Sequence, residues 1–115
     1  MITIYGIPNC DTMKKARAWL AEAGIEYRFH DYKKAGVATA DLKRWAAEVG
    51  WEVLLNRAGT TFRKLPPETK KNINKSKALA LMIENPSMIR RPVLEANGQV
   101  LVGFDKVRYA QAFAS

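Results

Sequence analysis

The sequence has one cysteine, Cys10, and one histidine, His30, among its 115 residues. A single cysteine cannot form an internal disulfide. One cysteine and one histidine cannot supply the closed ligand set of a structural zinc site, so we expect no bound metal. No apolar run reaches the roughly 18 residues of a membrane span. Nothing at the start resembles a basic and then apolar secretion signal, and we therefore expect a cytoplasmic protein.

Acidic residues are also few. Eleven Asp and Glu stand against 19 Lys and Arg, which gives a formal net charge of +8. Such an excess favours anionic partners but does not choose among them. The tract between Arg57 and Lys77 is rich in Lys and Arg, yet only Phe62 adds an aromatic ring to it. A tract of this kind is usually a solvated face, so we expect no nucleic-acid partner.

Cys10 follows a short apolar strand, predicted over residues 2–5, and the turn Gly6-Ile7-Pro8-Asn9. A helical pattern begins directly after it, at Asp11 or Thr12. A sulfur at that junction faces the unpaired N–H groups of the first helical turn, which can lower a thiol pKa from about 8.5 to between about 3.5 and 7.5. We therefore interpret Cys10 as a nucleophile rather than a small buried apolar residue. An inward-pointing Asp11 carboxylate would oppose this effect.

Periodicity predicts strand, helix, strand for the first third of the chain. Apolar residues at helical spacing indicate a helix over residues 11–23, and alternation indicates a strand over residues 25–32. A helical crossover favours parallel pairing of the two strands. On the second strand His30 alternates away from Tyr27 and Phe29, which argues against a role as general base.

The rest of the pattern completes an α/β fold. The middle is mainly helical, with one helix capped by Thr39 and another beginning at Asn74 or Ser76. Two strands joined by an Asn97-Gly98 turn follow, and Asp105 caps a last helix. We predict one domain over residues 1–115. The order of elements predicts a thioredoxin-like arrangement, in which one mixed sheet of four strands has helices inserted between its halves.

Pro92 opens the third predicted strand directly after Arg90 and Arg91. In the plain interpretation a proline simply begins a strand, where its missing N–H does no harm. Thioredoxin-like folds, however, place a cis-proline before their third strand, beside the reactive cysteine. Arg91 would then put a permanently charged guanidinium next to the thiolate, where it could hold an oxyanion or a carboxylate. The sequence leaves the isomer of this bond open.

Three blocks occur in order: Ile4-Tyr5-Gly6-Ile7-Pro8-Asn9-Cys10-Asp11-Thr12, then Arg90-Arg91-Pro92-Val93, then Val102-Gly103-Phe104-Asp105. Together they resemble the ArsC/Spx family of bacterial thioredoxin-fold proteins over nearly the whole chain, and most of all its YffB-type branch. The resemblance implies a redox-active Cys10. It also implies a glutaredoxin-like half fold with an inserted helical segment near residues 39–84. We predict that Asn9, Thr12, Arg91 and Pro92 bind the substrate or an anion, with Arg57 adding charge from the insert.

The chain departs from two patterns of that family. Its arsenate reductases use one cysteine and three arginines, of which Cys10 and Arg91 match two. Asn56 stands where the second arginine is expected, with Arg57 one residue late, and Gly103 stands at the third. Spx-type regulators often carry Cys-x-x-Cys, whereas Met13 occupies the second position here.

The resemblance therefore favours a monothiol thiol–disulfide oxidoreductase, namely a glutathione-dependent thiol reductase with glutathione as co-substrate and a small thiol, disulfide or oxyanion as substrate. An external thiol must resolve any mixed disulfide. Two alternatives stay open. One is an arsenate reductase coupled to glutaredoxin, in which Arg57 takes the missing place. The other is a non-enzymatic, Spx-like regulator that binds RNA polymerase.

Overall fold

The computed structural model describes residues 2–114. The chain divides into two compact units. The sheet unit is built from both ends of the chain, up to Ala35 and from Arg91 onward, and the helical unit is Gly36–Arg90. The predicted insert over residues 39–84 lies within the helical unit, whose bounds are wider. Its assignment to one domain with the sheet stays a prediction.

Strands and helices alternate at both ends of the chain, as expected, and the middle of the chain is helical. In chain order they are β1 (Thr3–Gly6), α1 (Asp11–Glu22), β2 (Arg28–Asp31), α2 (Tyr32–Ala35), α3 (Thr39–Val49), α4 (Trp51–Leu54), α5 (Thr60–Arg63), α6 (Pro67–Lys70), α7 (Lys75–Glu84), a 3-10 turn (Pro86–Met88), β3 (Val93–Ala96), β4 (Gln99–Val102) and α8 (Lys106–Ala112).

The four strands form one mixed sheet in the order β2-β1-β3-β4. β1 runs parallel to β2 and antiparallel to β3, and β3 pairs antiparallel with β4. Asn97 and Gly98 join the last pair with φ of 52° and 80°, the left-handed values of a tight hairpin turn. The predicted thioredoxin-like sheet is confirmed. β2, however, begins at Arg28 and not at residue 25, and it ends one residue before Tyr32.

The core of the sheet unit joins one face of the sheet to α1 and α8. Ile4 and Leu94 lie at opposed positions on β1 and β3, and both are fully buried. Met13, Ala16 and Leu20 of α1 belong to the same buried cluster, as their helical spacing predicted. Ala23, which the same spacing also placed on this face, is exposed at the end of the helix. A Cβ at Gly6 would overlap the thioether of buried Met13, so α1 can approach the end of β1 this closely only because residue 6 is glycine.

The helical unit has its own buried residues, among them Trp45 of α3 and Met82 of α7. Asn74 caps α7, with its side chain accepting the Lys77 N–H at 2.9 Å, as the sequence predicted. The predicted cap at Thr39 is wrong. Thr39 is the first residue of α3, and Ala38 stands at the cap position without a side-chain hydrogen bond. An extended Ala38 starts the helix without a polar cap, because packing of the apolar face stabilises the helix instead.

No helix within residues 2–114 has the length and apolar character to cross a membrane.

Candidate active site around Cys10

Cys10 stands between the end of β1 and the first turn of α1. Its backbone is extended, with φ of −131° and ψ of 131°, and it occupies the cap position of the helix. The side chain is partly exposed. The Cys10 side chain does not meet the geometry of a helix-capping hydrogen bond. The N–H groups of Met13 and Thr12 are nevertheless close enough to stabilise a negative charge on the sulfur. The helix therefore offers the thiolate partial positive charge from two backbone groups.

Antiparallel pairing of β1 with β3 brings the segment before β3 to the same end of the sheet. Tyr5 pairs with Val93, so Arg91 and Pro92 lie beside the turn that carries Cys10. The Arg91–Pro92 peptide bond is cis. Pro92 is buried, and its carbonyl accepts the Gly103 N–H at 2.9 Å. The fixed backbone places the Arg91 guanidinium within hydrogen-bonding reach of the Cys10 sulfur, as the sequence had suggested.

The pKa of the Cys10 thiol lies below its ordinary value. Burial by itself raises this pKa. The Met13 N–H, the Arg91 guanidinium and the Thr12 N–H together lower it by more than burial raises it. The side chain of Asp11 is exposed and is not among the groups that set the pKa of Cys10. The arrangement therefore favours the thiolate, which is the nucleophilic form.

Alkylation of Cys10 by iodoacetamide is expected to have its pH midpoint below the ordinary thiol value of about 8.5. The reagent reacts with the thiolate, so its rate follows ionisation of the sulfur. Free glutathione, alkylated in the same buffers, gives the reference curve. A Cys10 midpoint at or above that of glutathione would mean that burial outweighs the helix terminus and Arg91.

Tyr32 is a member of this site that the sequence did not single out. It is the first residue of α2 and is fully buried. Its hydroxyl hydrogen-bonds with the Arg91 guanidinium, which also contacts Cys10. Burial raises the pKa of Tyr32, so the phenol stays neutral and accepts the Arg91 hydrogen. Alternation placed Tyr32 as the last residue of the second predicted strand and gave no sign of a contact with Arg91.

The other predicted site residues have different surroundings. Asn9 is exposed and lines a groove with Pro8 and three charged side chains. Arg57 belongs to the helical unit, where its guanidinium lies 5.8 Å from the centre of the Trp51 ring. Its proposed part in the Cys10 site stays a prediction. His30 is half-buried beside Tyr5, with ring centres 5.0 Å apart, on the opposite face of β2 from Phe29.

Within the described residues no group of three or more His, Cys, Asp or Glu side chains is placed to hold a metal ion.

The sheet order, a single cysteine at the start of α1 and the cis-proline before β3 together define a thioredoxin-fold protein. The family model described as ArsC matches residues 5–112. The chain belongs to the ArsC family.

Similarity to individual proteins extends over the whole chain. A solved structure of a YFFB protein is 54% identical, with a TM-score of 0.96, covering 99% of this chain and 100% of that one. The solution structure of an arsenate reductase (ArsC) related protein from Brucella melitensis is also 54% identical, with a TM-score of 0.76, over 99% and 95% of the two chains. The global transcriptional regulator Spx of Streptococcus mutans is 27% identical over 92% of this chain and 78% of its own. The chain is thus similar both to an arsenate reductase-related protein and to a transcriptional regulator.

Proposed function

We propose that the protein is a monothiol thiol–disulfide oxidoreductase that uses glutathione as co-substrate. The observation that carries the proposal is the environment of Cys10. A lone thiol has two helix N–H groups and one guanidinium around it and a lowered pKa. Membership of a family with arsenate reductase-related members supports thiol-based redox chemistry. A free reactive thiol belongs in the reducing cytoplasm, where glutathione is abundant.

The proposed reaction needs one cysteine only. The Cys10 thiolate attacks one sulfur of a disulfide, forms a mixed disulfide and expels the second sulfur as a thiolate, which takes a proton from water. A second thiol, of glutathione or a glutaredoxin, then attacks the sulfur bonded to Cys10 and forms a new disulfide with it. The bond to Cys10 breaks, and Cys10 leaves as a thiolate. In this scheme Arg91 holds a carboxylate of glutathione, and Pro92, Asn9 and Thr12 shape the surface around the sulfur.

Incubation of the reduced protein with oxidised glutathione, followed by intact-mass measurement, tests the proposal. We expect the added mass of one glutathione on the wild type and none on Cys10→Ser, which keeps nearly the same volume. Circular dichroism of both proteins checks that the fold is retained. Absence of an adduct on the folded wild type would contradict a glutathione-dependent thiol reductase.

Similarity to Spx favours a second candidate of another class, a transcriptional regulator that binds RNA polymerase and does not catalyse a reaction. Such a protein would keep its partner after Cys10→Ser. The third candidate is an arsenate reductase coupled to glutaredoxin, favoured by the related Brucella protein. It requires a second guanidinium at the oxyanion, for which Arg57 is the candidate. Arsenate turnover in the presence of glutaredoxin and glutathione separates this candidate from the first.

A further inference from the structure

A groove of about 450 Å³ opens in the sheet unit between the turn that precedes Cys10 and the start of α2. It is lined by six residues: Ile7, Pro8, Asn9, Asp31, Lys33 and Lys34. We call it the Lys33 groove. Cys10 does not line the groove, but Asn9 directly precedes Cys10 in the chain. Tyr32, which lies between Asp31 and Lys33, is close enough to Cys10 for their charges to interact. Neither the cis-proline nor Arg91 lines the groove, and Asn9 is the one lining residue to which the proposed mechanism gives a role.

The groove carries charges of both signs. Lys33 and Lys34 are exposed, and neither has a carboxylate within ion-pair distance in the described part of the chain. Oδ1 of Asp31 accepts the N–H groups of Lys33 at 3.0 Å and Lys34 at 3.3 Å, which fixes the carboxylate at the start of α2. Its other oxygen makes no hydrogen bond to residues 2–114. Two cations and one anchored carboxylate therefore face the same space.

This charge pattern fits a zwitterion better than a simple anion. The γ-glutamyl end of glutathione carries an α-carboxylate and an α-ammonium on one carbon. The carboxylate would pair with Lys33 or Lys34, and the ammonium with Asp31. An arsenate ion has no positive group to offer and would be repelled by the Asp31 carboxylate. The groove therefore matches a ligand that carries charges of both signs better than it matches a compact oxyanion.

We infer that the Lys33 groove binds the γ-glutamyl end of glutathione while its sulfur is joined to Cys10 and its other carboxylate faces Arg91. This inference rests on the proposed function and adds the specificity site to it. The Cys10–glutathione S–S bond forms as the S–S bond of oxidised glutathione breaks, and one glutathione leaves as a thiolate.

The test compares rates of adduct formation on Cys10, followed by intact mass, for oxidised glutathione and for the uncharged bis(2-hydroxyethyl) disulfide. Lys33→Gln/Lys34→Gln is expected to slow the reaction with oxidised glutathione about three- to tenfold, as befits contacts with exposed lysines. The reaction with the uncharged disulfide should stay within about twofold. Lys15→Gln/Lys106→Gln is the matched control, because it removes the same charge from another groove of the sheet unit.

Asp31 is tested with a modified substrate. The disulfide of N-acetylated glutathione lacks the ammonium and should react with the wild type about threefold more slowly than oxidised glutathione. Asp31→Asn keeps the Oδ1 acceptor of α2 and removes only the charge, so this difference should disappear. Iodoacetamide rates on each variant check that the thiol itself is unchanged.

The outcomes separate the two proposals. A wild type that prefers oxidised glutathione, with the preference lost in the lysine variant but kept in the control, supports the groove. If the lysine variant and Asp31→Asn both keep the wild-type preference, the groove assignment is overturned while the proposed function stands. If the wild type itself shows no preference over the uncharged disulfide, the glutathione function is overturned, and the groove assignment falls with it.

Discussion

Arg91→Ala is expected to weaken the binding of glutathione about ten- to a hundredfold. Its guanidinium is partly buried and reaches the Cys10 sulfur. A carboxylate bound there would make a charge-assisted hydrogen bond worth about 1.5 to 3 kcal/mol, and each 1.4 kcal/mol corresponds to about tenfold in affinity. One guanidinium suffices for a carboxylate. A multiply charged oxyanion needs more, and Asn56 and Gly103 stand where the resemblance places the other arginines.

Titration calorimetry of glutathione into wild type and variants measures this loss. Arg90→Ala is the matched control, because it removes the same charge from the neighbouring residue, whose guanidinium instead donates to the Val53 carbonyl at 3.1 Å. His30→Ala tests the half-buried histidine and should leave affinity unchanged. Equal affinities for wild type and Arg91→Ala would remove Arg91 from the binding site. Efficient arsenate turnover by the wild type would instead put the arsenate reductase first among the candidates.

Tyr32→Phe is expected to raise the pKa of Cys10 and to lower the free energy of unfolding by about 1 to 3 kcal/mol. The substitution keeps the buried ring and removes the hydroxyl that accepts from Arg91. The partly buried guanidinium would then lose a hydrogen-bond partner, which costs about that much free energy, and it would turn toward water to gain another. Because it would also turn away from the sulfur, the thiolate would lose part of its stabilisation. Tyr32 is thus a positioning residue that acts through Arg91.

Alkylation profiles and denaturant unfolding give the two readouts. Tyr27→Phe is the control, since the Tyr27 hydroxyl accepts from Arg17 Nε at 3.1 Å in a second arginine–tyrosine pair of the same unit. We expect that change to cost less than about 1 kcal/mol and to leave the Cys10 profile in place. A Tyr32→Phe variant with reduced stability but an unaltered Cys10 profile would show that the hydroxyl stabilises the fold without positioning Arg91.

The sequence predicted those parts of the fold whose signals are local. The Asn97-Gly98 turn fixes the β3–β4 hairpin through the φ values that these residues tolerate, and the observed strands match the prediction. Asp105 caps α8 by accepting the Val107 N–H at 2.8 Å, as expected for an aspartate before a helix. The position of Cys10 between a strand and a helix was predicted correctly for the same reason, because strand, turn and helix follow one another within a few residues.

The remainder depends on contacts between distant segments. Tyr32 meets Arg91 only because β1 pairs with β2 on one side and with β3 on the other. The sequence around Tyr32 or around Arg91 gives no indication of this contact. Periodicity also placed Tyr32 in the second strand, whereas β2 ends at Asp31 and its carboxylate caps the short helix that follows. The Lys33 groove depends on that helix, and alternation alone therefore could not reveal it.

The contacts that hold the Cys10 sulfur as an anion also determine how a mixed disulfide on it would break. When an incoming thiol attacks the partner's sulfur in such a disulfide, Cys10 is the leaving group, and a thiol of lower pKa leaves faster. The N–H groups of Met13 and Thr12 and the Arg91 guanidinium receive the departing charge where it forms. In the proposed reaction, regeneration by an external thiol would therefore be assisted by the same groups that activate the nucleophile, without a second cysteine.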